Sequence, residues 1–240
     1  MGLGTDVVAL PTAEFGVAAS IYPPQDLFIK SLQTSGEYVY EDCAKRRFVF
    51  DASNILRLKS KAASAIVPNP TRVEVVSALI WKCARDVSRS NLGVTRPAMQ
   101  ISSSKHAETK TQEREATLQN LVAILRESIE KFKVKYGNGV SGDDIYQHFK
   151  EHEDLMGKND INNYTCSSWC RFGFYEANFG WGKPSWVTIP GFPIKNLFFF
   201  IDTKDGEGIE AFLSLKEDDM AIIETNKELL AYASLNPIVI

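Results

Sequence analysis

Two apolar runs near the C-terminal end constrain this chain more than any other feature: Asn196-Leu197-Phe198-Phe199-Phe200-Ile201-Asp202 and Ile209-Glu210-Ala211-Phe212-Leu213-Ser214-Leu215. Both are rich in aromatic and branched residues, and Asp205-Gly206-Glu207-Gly208 between them supplies turn chemistry, so they predict an antiparallel hairpin. The same turn is no phosphate loop, because it lacks Lys and Ser/Thr at the needed places and sits between two strands.

Helices must cover such a hairpin. Thr71 and Glu74 form a capping box at the start of a helix in which Val73, Val76, Ile80, Cys83 and Val87 recur at helical spacing, with Trp81 near the edge of the stripe. Leu118, Leu121, Val122, Leu125, Ile129 and Phe132 form one face of a longer helix that Gly137 and Gly139 terminate. Ser141 with Asp144 caps a further helix to about Leu155, and the acidic run Glu217-Asp218-Asp219 opens a closing helix that extends through Glu228-Leu229-Leu230. Residues 46–51 alternate as a strand, followed by a helix over 54–62 capped by Ser53. Residues 164–172 have strand character, with Cys166 and Cys170 on one face. Residues 1–40 read as an irregular lead-in, and the polar stretch 100–116 as a loop without a strand. The mixture predicts an α/β domain over 1–240.

The 240 residues are 44% apolar, enough for a true core, and the net charge of -3 provides no basic field for nucleic acid or an anionic membrane surface. No apolar run reaches the length of a membrane span, and Asp6 stands where a myristoylation motif needs Ser or Thr after Gly2. Cys43, Cys83, Cys166 and Cys170 form no disulfide framework and read as core thiols of a cytoplasmic protein. His148 and His152 stand one helical turn apart, but no third ligand accompanies them, so no metal site is assigned.

In Asn178-Phe179-Gly180-Trp181-Gly182-Lys183-Pro184 two glycines flank an indole. The glycines permit positive φ, and Phe179 and Trp181 are expected to bury large apolar area. This stretch, preceded by Ser167-Ser168-Trp169-Cys170-Arg171-Phe172 and Tyr175, resembles the second signature of the plant BAHD acyltransferases, which usually reads Asp-Phe-Gly-Trp-Gly. Asp202-Thr203-Lys204, Gly208-Ile209-Glu210-Ala211, Asn236-Pro237, Arg46-Arg47-Phe48-Val49-Phe50 and Thr71-Arg72-Val73-Glu74 follow the same family order, and the vinorine-synthase-like branch is the most similar.

The resemblance implies the C-terminal half of a two-domain, CoA-dependent fold like that of chloramphenicol acetyltransferase, with a mixed sheet and flanking helices. It implies transfer of an acyl group, acetyl first among them, from acyl-CoA to an alcohol or amine acceptor, with no permanently bound cofactor. The family's base is the His of a His-x-x-x-Asp motif. His106, His148 and His152 are followed four residues later by Lys110, His152 and Met156, so no catalytic residue is assigned. The resemblance therefore implies a chain whose N-terminal catalytic half is missing: inactive alone, and able to associate with that half or with an intact family member. A non-enzymatic CoA-binding or interaction protein, or a gene fragment, are the alternatives.

By the same resemblance Ser167 and Trp169 line the substrate channel, and Lys59, Lys61, Thr71 and Arg72 form part of the CoA surface. The family's Arg-bearing strand is expected to be lost to the polar stretch after Arg96-Pro97, and Asn178 replaces the Asp that pairs with that Arg. The two losses fit together if position 178 is buried, because a buried carboxylate without its Arg is costly whereas an amide needs only hydrogen bonds.

Overall fold

A computed structural model describes residues 43–92, 96–101, 117–137, 141, 144, 161–189 and 194–238. The lead-in, Gly139, His106, the His148–His152 pair and residues 102–116 lie outside the described residues.

Six strands form one mixed sheet: β1 (Cys43–Phe50), β2 (Arg96–Ile101), β3 (Ile161–Ser168), β4 (Leu197–Asp202), β5 (Ile209–Lys216) and β6 (Ser234–Leu235). Their order is β2-β3-β4-β5-β1-β6, with β2, β3 and β4 parallel and the other neighbours antiparallel. The hairpin expected from the two apolar runs is β4–β5, in register Phe198↔Leu213 and Phe200↔Ala211. The strand predicted over 46–51 begins three residues earlier. β2 takes in Gln100 and Ile101, which the sequence places in the polar loop; pairing with β3 supplies the partner that the local sequence does not reveal.

The helices are α1 (Ala52–Ala62), α2 (Arg72–Leu92), α3 (Leu118–Tyr136), α4 (Glu217–Ile223) and α5 (Lys227–Leu230). Asp51, not Ser53, caps α1: its carboxylate accepts from the Asn54 N–H at 2.7 Å, and Ser53 itself donates to Asp51. The capping box of α2 is present, with Glu74 N–H on Thr71 Oγ1 at 3.2 Å and Thr71 N–H on the Glu74 carboxylate at 2.7 Å. Ser141 and Asp144 bond reciprocally in the same manner. The single closing helix is instead two: α4 ends at Ile223, and Asn226 starts α5 by accepting from the Leu229 N–H. An Asx cap offers the backbone a competing bond, which breaks the helix there.

Helix α2 is buried almost all round, because it packs on the sheet and also meets α1, α3, α4 and α5. Trp81 is wholly buried in it rather than at the edge of a stripe. Side chains of all five helices join Phe48, Phe50, Tyr164, Cys166, Phe198, Phe200, Ile209, Ala211, Leu213 and Leu215 in one core. Every one of those strand residues faces the same side, as the period of two requires. Tyr164 stacks on Phe198 at 5.5 Å, and its hydroxyl donates to the Ala84 carbonyl. The alternate residues, among them Ser167, Leu197, Phe199, Phe212, Ser214 and Arg47, face the other side, against which no described helix packs.

All four cysteines are free. Cys83 and Cys166 are buried, and burial pushes both thiols up to about 12, so they behave as inert core groups. Cys43 and Cys170 are only half-buried. Strand β3 ends at Ser168, so Cys170 stands in a turn and shares no strand face with Cys166.

Candidate functional site

The open face is built where β3 leaves the sheet. Ser167 pairs with Phe199 across β3–β4, and Trp169, two residues on, sets its ring edge-on to Phe199 at 5.2 Å. The two residues predicted to line a channel thus share one face. The exit is fixed by charge: Arg171 adopts positive φ, and its N–H donates to Asp202 Oδ2 at 2.5 Å, while Asp202 Oδ1 accepts from Arg72 at 3.0 Å.

From there the chain crosses the open face through a 3-10 turn, Phe174–Glu176, to the glycine stretch. Gly180 and Gly182 have φ of 102° and 107°, as two glycines at these places allow. Asn178 Oδ1 accepts from both of their N–H groups, at 2.9 and 3.2 Å. That compact turn throws Phe179 and Trp181 outward, where they are 73% and 85% exposed and stack on each other at 5.7 Å. The expectation that they bury apolar area is therefore overturned. Asn178 is itself exposed, so burial does not explain the amide at that position.

Beyond Pro184 the chain returns over the sheet. The Val187 N–H donates to the Tyr175 hydroxyl at 3.2 Å, and the Arg47 guanidinium lies 5.7 Å from the Trp186 ring centroid. Arg47 also pairs with Glu210 at 2.9 Å and donates to the Pro237 carbonyl. Between Trp186 and the strands runs a groove of about 340 Å³, whose walls include Leu197, Phe199 and Phe212, with Lys45 and Ser214 beside them. The sequence carried no local signal for this groove. Lys45 and Ser214 are far apart in the chain and meet only through the β1–β5 register.

The four residues predicted for a CoA surface belong to the helical side of the sheet. Thr71 is held in its capping box with Glu74. Arg72 donates to Gly206 and Gly208 carbonyls as well as to Asp202. Lys61 bonds Glu228 at 3.3 Å and stands 5.5 Å from the Tyr232 ring centroid. Lys59 alone of the four has no side-chain partner among the described residues. Of the four, Arg72 reaches the exit from β3 through Asp202, whereas Lys61 and Thr71 are held by partners on the helical side. Among the described residues no group of His, Cys, Asp and Glu is placed to hold a metal ion, and no described helix is long and apolar enough to cross a membrane.

A model of the Transferase family matches residues 17–103 and 100–230. The BAHD acyltransferase BIA1 of Arabidopsis thaliana is 36% identical over 258 residues, covering 95% of this chain and 59% of that protein. Salutaridinol 7-O-acetyltransferase of Papaver somniferum is 34% identical over 276 residues, covering 92% and 57%. The crystal structure of vinorine synthase superposes with a TM-score of 0.71 at 26% identity, over 96% of this chain and 56% of that one. A second solved structure, F. graminearum TRI101 complexed with coenzyme A and deoxynivalenol, shares the fold with a TM-score of 0.60 at 20% identity, over 81% and 50%. The chain spans about half the length of the curated relatives it matches. On the family match and these identities, the chain belongs to the Transferase family, that of the BAHD acyltransferases.

Proposed function

We propose that this chain is the C-terminal half of an acyl-CoA-dependent acyltransferase, one that presents the substrate-facing side of the cleft and depends on another half for its base. The observation that carries this reading is the open sheet face: Ser167 and Trp169 stand together on it, and no described helix covers it. In the reaction a base removes the proton of an alcohol or amine, the freed oxygen or nitrogen attacks the thioester carbonyl, and CoA leaves as the thiol. Ser167 and Trp169 position the acceptor. No His in the sequence is followed by Asp at the fourth residue, so the chain alone lacks the family's base, a loss of roughly 10²–10⁴-fold in rate from that cause.

Acetyl-CoA is the first donor to test, because acetyltransferases of plant metabolites are among the relatives; a structural neighbour was solved with coenzyme A. The exposed rings of Phe172, Phe179 and Trp181, of which Phe179 and Trp181 stack on each other, support a protein partner, since exposed apolar surface of this kind marks contact sites. That partner is the missing half or an intact family member. Buried free thiols support a reducing, cytoplasmic location.

Calorimetry with acetyl-CoA on the purified chain, followed by addition of a polypeptide carrying a relative's N-terminal half, tests the reading. Thiol release should appear only in the mixture. Acetyl-CoA binding without release in either case favours the non-enzymatic binding protein, and release from the chain alone overturns the proposal.

A further inference from the structure

We propose that Asp202, braced by Arg72, is a positioning residue that sets Trp169 on the open sheet face, an inference that rests on the acyl-transfer reading for the acceptor's place on that face. It starts from a turn that its own sequence does not favour. Trp169-Cys170-Arg171-Phe172 closes with the Phe172 N–H on the Trp169 carbonyl at 3.3 Å, and its third residue, Arg171, has a φ of 67°. Glycine or asparagine ordinarily fills such a place, because a side chain there crowds the backbone. Neither stands in these four positions, so a contact from outside the turn must hold it.

Asp202, the last residue of β4, makes that contact. One carboxylate oxygen accepts from the Arg171 N–H at 2.5 Å, and the other accepts from the Arg72 guanidinium at 3.0 Å. Arg72 is itself anchored at the start of α2, where it also donates to the Gly206 carbonyl at 2.5 Å. The two side chains are only 24% and 20% exposed, so water competes weakly for these charge-assisted bonds.

What the turn fixes is Trp169, its first residue. The Trp169 N–H donates to the Phe200 carbonyl at 2.7 Å, and its carbonyl closes the turn, so the backbone is held on both sides of the side chain. The indole then stands edge-on to Phe199 at 5.2 Å and tilted by 50° to Phe174 at 5.9 Å. Asp202 thus acts on the indole through the backbone of the turn. Relaxation of Arg171 to negative φ would free the Trp169 carbonyl and turn the ring away from Phe199.

The test labels the full chain with 5-fluorotryptophan and reads the indoles by fluorine NMR, with Trp169 assigned from a Trp169→Phe variant. Asp202→Ala should move the Trp169 signal and leave that of the core residue Trp81. Adding Arg171→Gly to Asp202→Ala should bring the signal back, because glycine adopts positive φ unaided, whereas lost packing is not restored by deleting another side chain. In the unaltered chain, whatever the variants do, the Arg171 N–H should exchange with solvent at least about tenfold more slowly than an exposed unbonded amide. In a mixture with a relative's N-terminal half, Asp202→Ala should lower kcat/KM for the acceptor about tenfold and leave the KM of acetyl-CoA unchanged. An unmoved Trp169 signal, a shift that Arg171→Gly does not reverse, fast exchange at Arg171, or equal effects on acceptor and donor overturns the proposal. The fluorine and exchange readouts need neither CoA nor a second half, so an unaltered chain that is silent in the mixture counts against the acyl-transfer reading alone.

Discussion

At residue 178 the side chain acts through its oxygen alone: Oδ1 caps a turn whose two N–H donors come from Gly180 and Gly182. A carboxylate accepts the same two bonds in the same exposed place. Asn178→Asp should therefore shift stability by less than about 0.5 kcal/mol in denaturant unfolding, whereas Asn178→Ala should lose about 1 kcal/mol; a clear gain for the Asp variant would contradict this account of the turn. A costlier residue-scale contact is Arg47 with Glu210, whose side chains are only 12% and 7% exposed. Removing one member strands a charge. Glu210→Ala should cost about 3–5 kcal/mol, and the double variant Arg47→Met, Glu210→Leu much less; equal losses would show that the pair itself carries the stability. Neither the pair nor the exposure of position 178 was legible in the sequence, which shows charges but not the register that joins β1 to β5.

Local signals identify an element where they are self-contained and fail to where tertiary contacts compete. The Thr71–Glu74 capping box needs only four consecutive residues, and it was legible. The break between α4 and α5 was not, because it turns on whether Asn226 caps or continues a helix. Glu74 makes the capping box testable. Burial raises its carboxyl, but the hydrogen bonds from Arg126 and from Thr71 outweigh that and hold it below the ordinary value of 4.5. A carboxylate lowered on folding stabilises the folded state above its unfolded pKa, and that contribution is lost as pH falls through the folded value. Stability should fall as pH drops below about 4.5, and Glu74→Gln should flatten that part of the fall while lowering stability at neutral pH. An unchanged acid slope would contradict the assignment. In the hairpin, a Cβ on Gly208 would meet the Phe50 carbonyl at 2.5 Å and Thr203 within 3 Å. Gly208→Ala should cost about 1–3 kcal/mol through this backbone clash.

For the whole molecule, the decisive asymmetry among the described residues is a sheet with five helices gathered on one side and a crossing segment on the other. The α/β class and the hairpin were legible because apolar runs and periodicity encode them. The family was legible because its motifs are long and keep their order. Which face would be open was not, since a strand's alternation tells that two faces differ but not which one helices will cover. The glycine stretch, expected to be a packing element, instead holds its rings outside the core. The proposed reading, an acyltransferase cleft divided between two halves, accounts for the sheet face that no described helix covers. The most direct measurement is thiol release from acetyl-CoA by the purified chain alone, with a panel of alcohol and amine acceptors. The account predicts a rate no greater than the protein-free control, and turnover by the chain on its own would contradict it.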